Sequence, residues 1–268
     1  MGPRENRILL VQRKGYVCTL VLNRPEKRNS LSQDLLFELH HTLQKFSKDD
    51  NVRTIIIRGA GNKAFSSGYD ITAFPTDSTQ EVKEFVKEQN PYELALEGIV
   101  NYPYPVIAML NGYAFGGGCG LAVSCDIRIG ADDIRMGMVP VKLGMSYPPE
   151  ALRHFIRTIG ISRTKEIFFT GRVYDAPRIK EMGLVDYLVP REDLESFTYD
   201  LAQEIALNAP LSLKGIKRTL NLLLRSEKME EEDRQEAYEI FTRILKSEDL
   251  KEGQTAFIEK RKPHFKGR

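Results

Sequence analysis

The first two thirds of the chain alternate short β-branched apolar runs with helical patterns of apolar residues. The clearest strand signals are Val17–Leu22 and residues 52–58. Between them, apolar residues recur at helical spacing, and Ser32 is placed to cap that helix. The recurring residues are Leu35, Leu36, Leu39, Leu43 and Phe46. This pattern predicts a β–α–β crossover and the α/β fold class.

The pattern changes along the second half of the chain. The apolar run Val106–Leu110 leads into Asn111-Gly112 and then into a glycine cluster at 116–120. After about residue 190 the strand signals stop, and amphipathic helices are predicted at 194–207, 211–224 and 230–245. We therefore divide the chain into a core at 1–195 and a helical region at 196–268. Periodicity does not decide whether that region is a lid, a packing layer or an oligomer interface.

Composition narrows the class of protein. The 268 residues are 41% hydrophobic and 28% charged, with 39 basic against 37 acidic residues, as in ordinary globular proteins. Because nucleic-acid binders usually carry a basic excess on one surface, we expect no nucleic-acid partner. No signal peptide and no run of 18 apolar residues is found, so we expect a soluble protein with no membrane partner.

Cysteine and histidine spacing argues against metal and disulfide sites. Cys18, Cys119 and Cys125 are odd in number and show no C-x-x-C pair, which fits a reducing cytoplasm. The four histidines show no metal-ligand spacing, so no metal is predicted.

Two loops are candidates for chemistry. Residues 63–71 follow a strand closely and place small residues where the chain must turn, so backbone N–H groups there can face an anion. The cluster at 116–120 has four glycines in five positions, which lets a ligand approach the backbone closely. It is not a dinucleotide motif, because position 121 is leucine, and no Gly-Lys-Ser/Thr follows. The alternatives are an ordinary loop and close helix packing.

The pair of loops is more informative than either loop alone. Two neighbouring strands whose following loops each offer one N–H group form the geometry of an oxyanion hole for a thioester enolate. We therefore predict that the two loops converge on one carbonyl oxygen.

These segments also carry a family resemblance. In order and spacing the chain resembles the enoyl-CoA hydratase/isomerase (crotonase) superfamily over nearly its whole length. The matching segments are Asn23-Arg24-Pro25, Asn29-Ser30-Leu31, residues 64–71, residues 111–118, Thr170-Gly171-Arg172, Gly183-Leu184-Val185 and residues 256–263.

The resemblance implies a spiral of β–β–α turns, with the helical region 196–268 packing homotrimers or dimers of trimers. It implies acyl-CoA as the substrate and no further cofactor. The oxyanion donors would be the N–H groups of Tyr69 and Gly117. The implied CoA and substrate contacts are Lys27, Arg28, Ala64, Ser66, Gly68, Asp70, Ile71 and Gly116, with Phe257 and Lys260 supplied by a neighbouring subunit.

The chain departs from the hydratase pattern at both acid positions. Typical hydratases carry glutamates where this sequence has Gly120 and Pro140, and neither of these can transfer a proton. Residues 143–147, 165–170 and 247–249 instead resemble the methylmalonyl-CoA decarboxylase branch, in which loss of CO₂ generates the enolate without a base. In that branch Tyr147 would orient the substrate carboxylate and deliver a proton. The branch has histidine at Tyr69 and glutamate at Gly120.

Other interpretations stay open. Glu150, in the first turn of a helix that starts at the prolines, is either a relocated acid of an enoyl- or dienoyl-CoA hydratase or isomerase, or a solvated residue. Without both glutamates, the chain is alternatively a silent acyl-CoA binding module. Tyr147 is alternatively a packing residue, and Cys119 is interpreted as packing. Candidates for aromatic pocket walls are Tyr69, Phe74, Tyr92, Tyr113 and Tyr147.

Overall fold

The computed structural model describes residues 7–70, 90–225 and 231–266. Two sheets organise the first part of the chain. The larger has six strands in the order β1-β2-β3-β5-β7-β10, and the smaller has four in the order β4-β6-β8-β9. The strands are β1 Leu9–Lys14, β2 Val17–Leu22, β3 Thr54–Gly59, β4 Ala64–Ser66, β5 Val106–Leu110, β6 Tyr113–Phe115, β7 Ile127–Ala131, β8 Arg135–Gly137, β9 Val173–Asp175 and β10 Tyr187–Val189.

The predicted β–α–β crossover is confirmed. Helix α1, Gln33–Phe46, connects β2 to β3, which pair in parallel, and the Ser32 hydroxyl accepts the Leu35 N–H at its start. All six β2 residues are buried, as in a strand covered on both faces. The predicted strand at 52–58 begins two residues later, at Thr54. Val52 lies before the strand and is nevertheless fully buried.

Successive turns of the chain alternate between the two sheets. Strands β3, β5 and β7 of the large sheet are each followed by a strand of the small sheet, β4, β6 and β8. Pairing is parallel except between β1 and β2 and between β8 and β9. This is the spiral of β–β–α turns that the resemblance implies, and the α/β class is confirmed.

Helices fill the spaces between strands and then dominate the end of the chain. Those between strands are α2 Pro91–Asn101, α3 Gly117–Val123, α4 Pro149–Thr170 and α5 Ala176–Met182. Those of the last part are α6 Leu194–Leu207, α7 Pro210–Arg225, α8 Glu231–Leu245 and α9 Glu248–Ile258. The three predicted C-terminal helices are thus present, with ends that agree to within one residue where the structure describes them.

Helix α6 packs on the large sheet. Its Leu194, Ala202 and Ala206 are buried, and the Tyr199 hydroxyl lies 2.7 Å from that of Thr19 in β2. The predicted boundary between 195 and 196 falls inside this helix, near its start. The division into a catalytic core and an oligomerisation region stays a prediction.

A buried lysine fastens α7 to the core. The Lys217 ammonium donates to the carbonyls of Ile99 and Tyr104 and lies 2.5 Å from Asp126 Oδ2. The same carboxylate accepts the Val106 N–H at 2.7 Å. Asp126 therefore joins the start of β5 to α7.

The last helix rests on the 3₁₀ turn Pro140–Leu143. A side-chain carbon at Gly253 in α9 would overlap the Leu143 carbonyl, so glycine there allows the two segments to approach closely. No helix within the described residues is long and apolar enough to cross a membrane.

Candidate active site

Two loops leave the small sheet side by side. Strands β4 and β6 pair in parallel, with Ala64 opposite Tyr113 and Ser66 opposite Ala114. Because parallel neighbours end at the same edge of a sheet, residues 67–70 after β4 meet residues 116–117 after β6. The predicted convergence of the two loops is therefore present in the fold.

The two predicted donor residues lie close together. A methyl group at Gly68 would lie 3.3 Å from the Gly117 nitrogen, and one at Gly117 would lie 3.4 Å from the Tyr69 nitrogen. Gly117 is the first residue of α3, so its N–H has no acceptor within that helix. The backbones of Tyr69 and Gly117 therefore lie close together, and that their N–H groups share one acceptor stays a prediction.

Two glycines give these loops their shape. Gly68 has φ of +97° and Gly116 has φ of +51°, in the region that L side chains rarely adopt. A Cβ at Gly68 would also lie 2.7 Å from the Phe115 carbonyl oxygen. The predicted substrate contacts at Gly68 and Gly116 are thus positions where the backbone itself borders the site.

Asp70 holds the loop of residues 23–31 against the first site loop. Its Oδ2 accepts from Arg24 Nη2 at 2.8 Å and from Ser30 Oγ at 3.3 Å, and Lys27 Nζ lies 3.7 Å away. The side chains of Asp70 and Arg24 are only 6% and 11% exposed, so this ion pair is buried. Arg24 is thus a buried ionic partner of Asp70, and the pair orders the residue next to Tyr69.

Tyr147 borders the second site loop. Its hydroxyl oxygen lies 3.5 Å from where a Cβ of Gly116 would stand, and Pro140 Cγ lies 3.7 Å from the same point. Burial raises the pKa of Tyr147 well above its ordinary value, so the phenol stays protonated at neutral pH and can donate.

Tyr92 belongs to the site, although sequence patterns indicated it only as a candidate aromatic wall of the pocket. Its hydroxyl donates to the Gly117 carbonyl at 3.0 Å, and its ring lies edge-on to that of Tyr69 with centroids 6.2 Å apart. A buried tyrosine next to a glycine cluster has no distinctive spacing, so no sequence signal could have identified it. Arg24 could have been found, because it stands in one of the segments that carry the family resemblance.

Glu150 stands in the first turn of α4, as predicted. Its Oε2 accepts from the Tyr238 hydroxyl at 2.5 Å, and it lines a cavity of about 340 Å³ together with Glu93, Arg153 and His154. Burial, and then the charge of Glu150, raise the pKa of Glu93. The cavity therefore holds two neighbouring carboxyl groups, and a catalytic role for Glu150 stays a prediction.

The remaining predicted contacts are distributed around the loops and on the last helix. Ala64 and Ser66 are buried in β4, and the Ser66 hydroxyl accepts the Gly68 N–H at 3.2 Å. Lys27 and Arg28 are exposed, as are Phe257 and Lys260 at the end of α9. Ile71 and Phe74 lie outside the described residues.

Nucleophilic and metal chemistry are not indicated by the other described side chains. Cys119 is fully buried, and burial raises its pKa to about 12, in agreement with a packing role. Among the described residues, no group of three or more histidine, cysteine, aspartate or glutamate side chains is arranged to hold a metal ion.

Comparison with known proteins identifies the class to which this fold and site belong. A sequence model of the enoyl-CoA hydratase/isomerase family matches residues 12–268, so the chain belongs to that family and the predicted crotonase relationship is confirmed. Short-chain-enoyl-CoA hydratase of Clostridium acetobutylicum is 33% identical over 95% of both chains. Methylmalonyl-CoA decarboxylase of Escherichia coli is 31% identical over 94% of this chain and 95% of its own.

Similar solved structures also include a methylmalonyl-CoA decarboxylase and an enoyl-CoA hydratase. A crystal structure of methylmalonyl-CoA decarboxylase complexed with 2S-carboxypropyl-CoA has a TM-score of 0.88 at 30% identity, covering 98% of this chain and 100% of that one. An enoyl-CoA hydratase from Bacillus anthracis has a TM-score of 0.73 at 32% identity, with 98% and 100% coverage. The relatives therefore establish the family and include more than one reaction.

Proposed function

We propose that this protein is an acyl-CoA lyase that decarboxylates a malonyl-type thioester resembling methylmalonyl-CoA. The observation that carries the proposal is the meeting of the Tyr69 and Gly117 backbones at a site where positions 120 and 140 offer no carboxylate. Two amide donors stabilise an enolate oxygen, and decarboxylation is a family reaction that forms the enolate without a base.

In the proposed reaction, the bond between the α-carbon and the carboxylate breaks. Its electron pair moves into the thioester, CO₂ leaves, and the enolate oxygen is held by the N–H groups of Tyr69 and Gly117. The Tyr147 phenol, protonated and next to Gly116, orients the departing carboxylate and is the candidate donor of the proton that the α-carbon then takes. A proton from water then restores the phenol. Apolar surroundings favour the loss of the charged carboxylate.

CoA binding is proposed along the loop of residues 23–31 and β4. Lys27 and Arg28 are exposed cations suited to the phosphates of CoA, while Ser66 and Asp70 fix the backbone that the thioester arm passes. Phe257 and Lys260 are proposed to reach the CoA of a neighbouring copy. The reaction needs no cofactor other than the CoA of the substrate itself.

The second candidate is hydration or isomerisation of an enoyl- or dienoyl-CoA. It is favoured by the two carboxyl groups of Glu93 and Glu150 in one cavity, since the raised pKa of Glu93 suits a proton carrier. A third candidate, a silent acyl-CoA binding module, is supported by Gly120 and Pro140 alone.

Purified protein supplied with methylmalonyl-CoA and, separately, with crotonyl-CoA distinguishes these candidates. We expect CO₂ release from methylmalonyl-CoA and no loss of enoyl absorbance with crotonyl-CoA. Tyr147→Phe should reduce CO₂ release about tenfold or more, because it removes one donor, while Glu150→Gln serves as the matched control and should retain it. Hydration of crotonyl-CoA that is lost in Glu150→Gln would favour the second candidate. Tight CoA binding without turnover of either substrate would favour the third.

We further propose a cytoplasmic homotrimer or dimer of trimers, with no nucleic-acid or membrane partner. Helix α7 supports association, because Ile216, Leu220 and Leu223 share one face and are 61%, 55% and 64% exposed. The double substitution Ile216→Glu/Leu220→Glu should shift the sedimentation velocity to that of a smaller species. Arg218→Glu, on another face of α7, is the control and should leave it unchanged. An identical distribution for both variants would contradict this interface.

A further inference from the structure

The phenol of Tyr92 lies against two residues of the glycine cluster. It stands in the first turn of α2, where the Asn90 side chain accepts its N–H, and only 5% of the residue is exposed. Its hydroxyl donates to the Gly117 carbonyl at 3.0 Å. A side-chain carbon at Gly120 would overlap that hydroxyl oxygen. The hydroxyl therefore touches the residue that offers the oxyanion donor and fills the space beside position 120.

This contact explains the glycine at a position where hydratases carry an acid. No residue with a Cβ fits at 120 while Tyr92 keeps its place, so a glutamate there is excluded by the phenol. The clash involves the hydroxyl oxygen alone, because the ring atom Cζ would lie 3.5 Å from the Cβ and Phe155 Cε2 would lie 3.9 Å from it. Both of these are ordinary van der Waals distances.

The same contact bears on the oxyanion donor. Gly117 is held on its carbonyl side by Tyr92, while its N–H is the proposed donor to the substrate. Gly116, which precedes Gly117, has a backbone conformation open mainly to glycine. Because Gly116 has no side chain, it does little to restrain Gly117. Burial raises the pKa of Tyr92, so this phenol stays protonated and keeps donating.

We propose that Tyr92 is a positioning residue of this active site, whose hydroxyl fixes the orientation of Gly117 and closes position 120 to any side chain. The inference rests on the proposed function in one respect, namely that the Gly117 N–H binds the thioester oxygen. Tyr92 acts through Gly117 and transfers no proton in this scheme.

The steric part is tested by a double-mutant cycle in thermal unfolding. Gly120→Ala should lower the melting temperature of the wild-type protein strongly, and much less in a Tyr92→Phe background, where the overlapping oxygen is gone. Gly215→Ala is the matched control, because a Cβ there meets nothing within 4 Å and should behave alike in both backgrounds. Equal losses for Gly120→Ala in the two backgrounds would overturn the proposal.

The positioning part is tested with bound propionyl-CoA in difference infrared spectra. An oxyanion hole polarises the thioester and lowers its C=O stretching frequency, and Tyr92→Phe should reverse part of that shift while leaving the affinity within about threefold. In steady-state assays the same variant should lower kcat roughly tenfold with little change in KM. An unchanged carbonyl frequency in Tyr92→Phe would reduce Tyr92 to a packing residue.

The two proposals fail in different ways. Wild-type protein that polarises propionyl-CoA but releases no CO₂ from methylmalonyl-CoA would refute decarboxylation and leave the role of Tyr92 intact. Wild-type protein that does not polarise the carbonyl would overturn both.

Discussion

Gly117→Pro is expected to lower turnover about 10²–10³-fold relative to Gly117→Ala, the size typical for loss of one oxyanion donor. Both variants add a Cβ, which would meet Leu31, Tyr69 and Tyr92 atoms at an ordinary 3.4 Å. Only proline removes the N–H. Because Gly117 is the first residue of α3, proline there suits the helix.

The measurement is kcat on the thioester that the wild-type protein turns over, with circular dichroism as a check on folding. Gly117→Ala is the control for the added Cβ, since it keeps the donor, whereas the proline ring also adds Cγ and Cδ. Equal turnover by the two folded variants would show that the Gly117 N–H does not stabilise the reaction's transition state, and would remove the basis of the proposed mechanism.

Asp70→Asn is expected to lower the free energy of unfolding by about 3 kcal/mol, near the lower end of the range for breaking a buried ion pair. The substitution leaves the buried Arg24 guanidinium without its carboxylate. Arg24 keeps the Ser30 carbonyl at 2.8 Å, while Lys27, 51% exposed, can turn to water. The loss therefore comes mainly from one uncompensated charge.

Urea unfolding of Asp70→Asn against Asp49→Asn provides the measurement. Asp49 pairs with Arg13 at 3.2 Å, but those side chains are 34% and 43% exposed, and such surface pairs contribute little to stability. Similar losses of unfolding free energy in the two variants would mean that the Arg24–Asp70 pair stabilises the protein no more than a surface pair does. Because Asp70 directly follows Tyr69, Asp70→Asn should also lose activity at urea concentrations below those that unfold it.

The fold could be predicted where its causes are local. Apolar spacing and the Ser32 cap specified α1, and the periodicity at 194–207 gave α6 its observed bounds, because a helix buries a face that repeats within a few residues. The convergence of the two loops also followed from the sequence, since parallel strands place successive loops at one edge.

The side-chain contacts of the site could not be predicted in the same way. Arg24 and Asp70 are 46 residues apart, and Tyr92 and Gly117 are 25 apart, so these pairs depend on how α2 and the loop at 23–31 settle on the sheets. Asp70 was expected as a contact of CoA, and only the structure shows that Arg24 takes its carboxylate. The sequence identified the candidate donors of the site, whereas only the structure identified the groups that pack against them.

The close approach of Gly253 to the Leu143 carbonyl links the end of the chain to the chemistry. The turn under α9 leads, a few residues later, to Tyr147. A larger residue at 253 must lift the last helix or push that turn inward, toward the segment that carries Tyr147. The sequence of the last helix is therefore constrained at position 253 by the turn that precedes Tyr147, and not only by the CoA contacts proposed for Phe257 and Lys260.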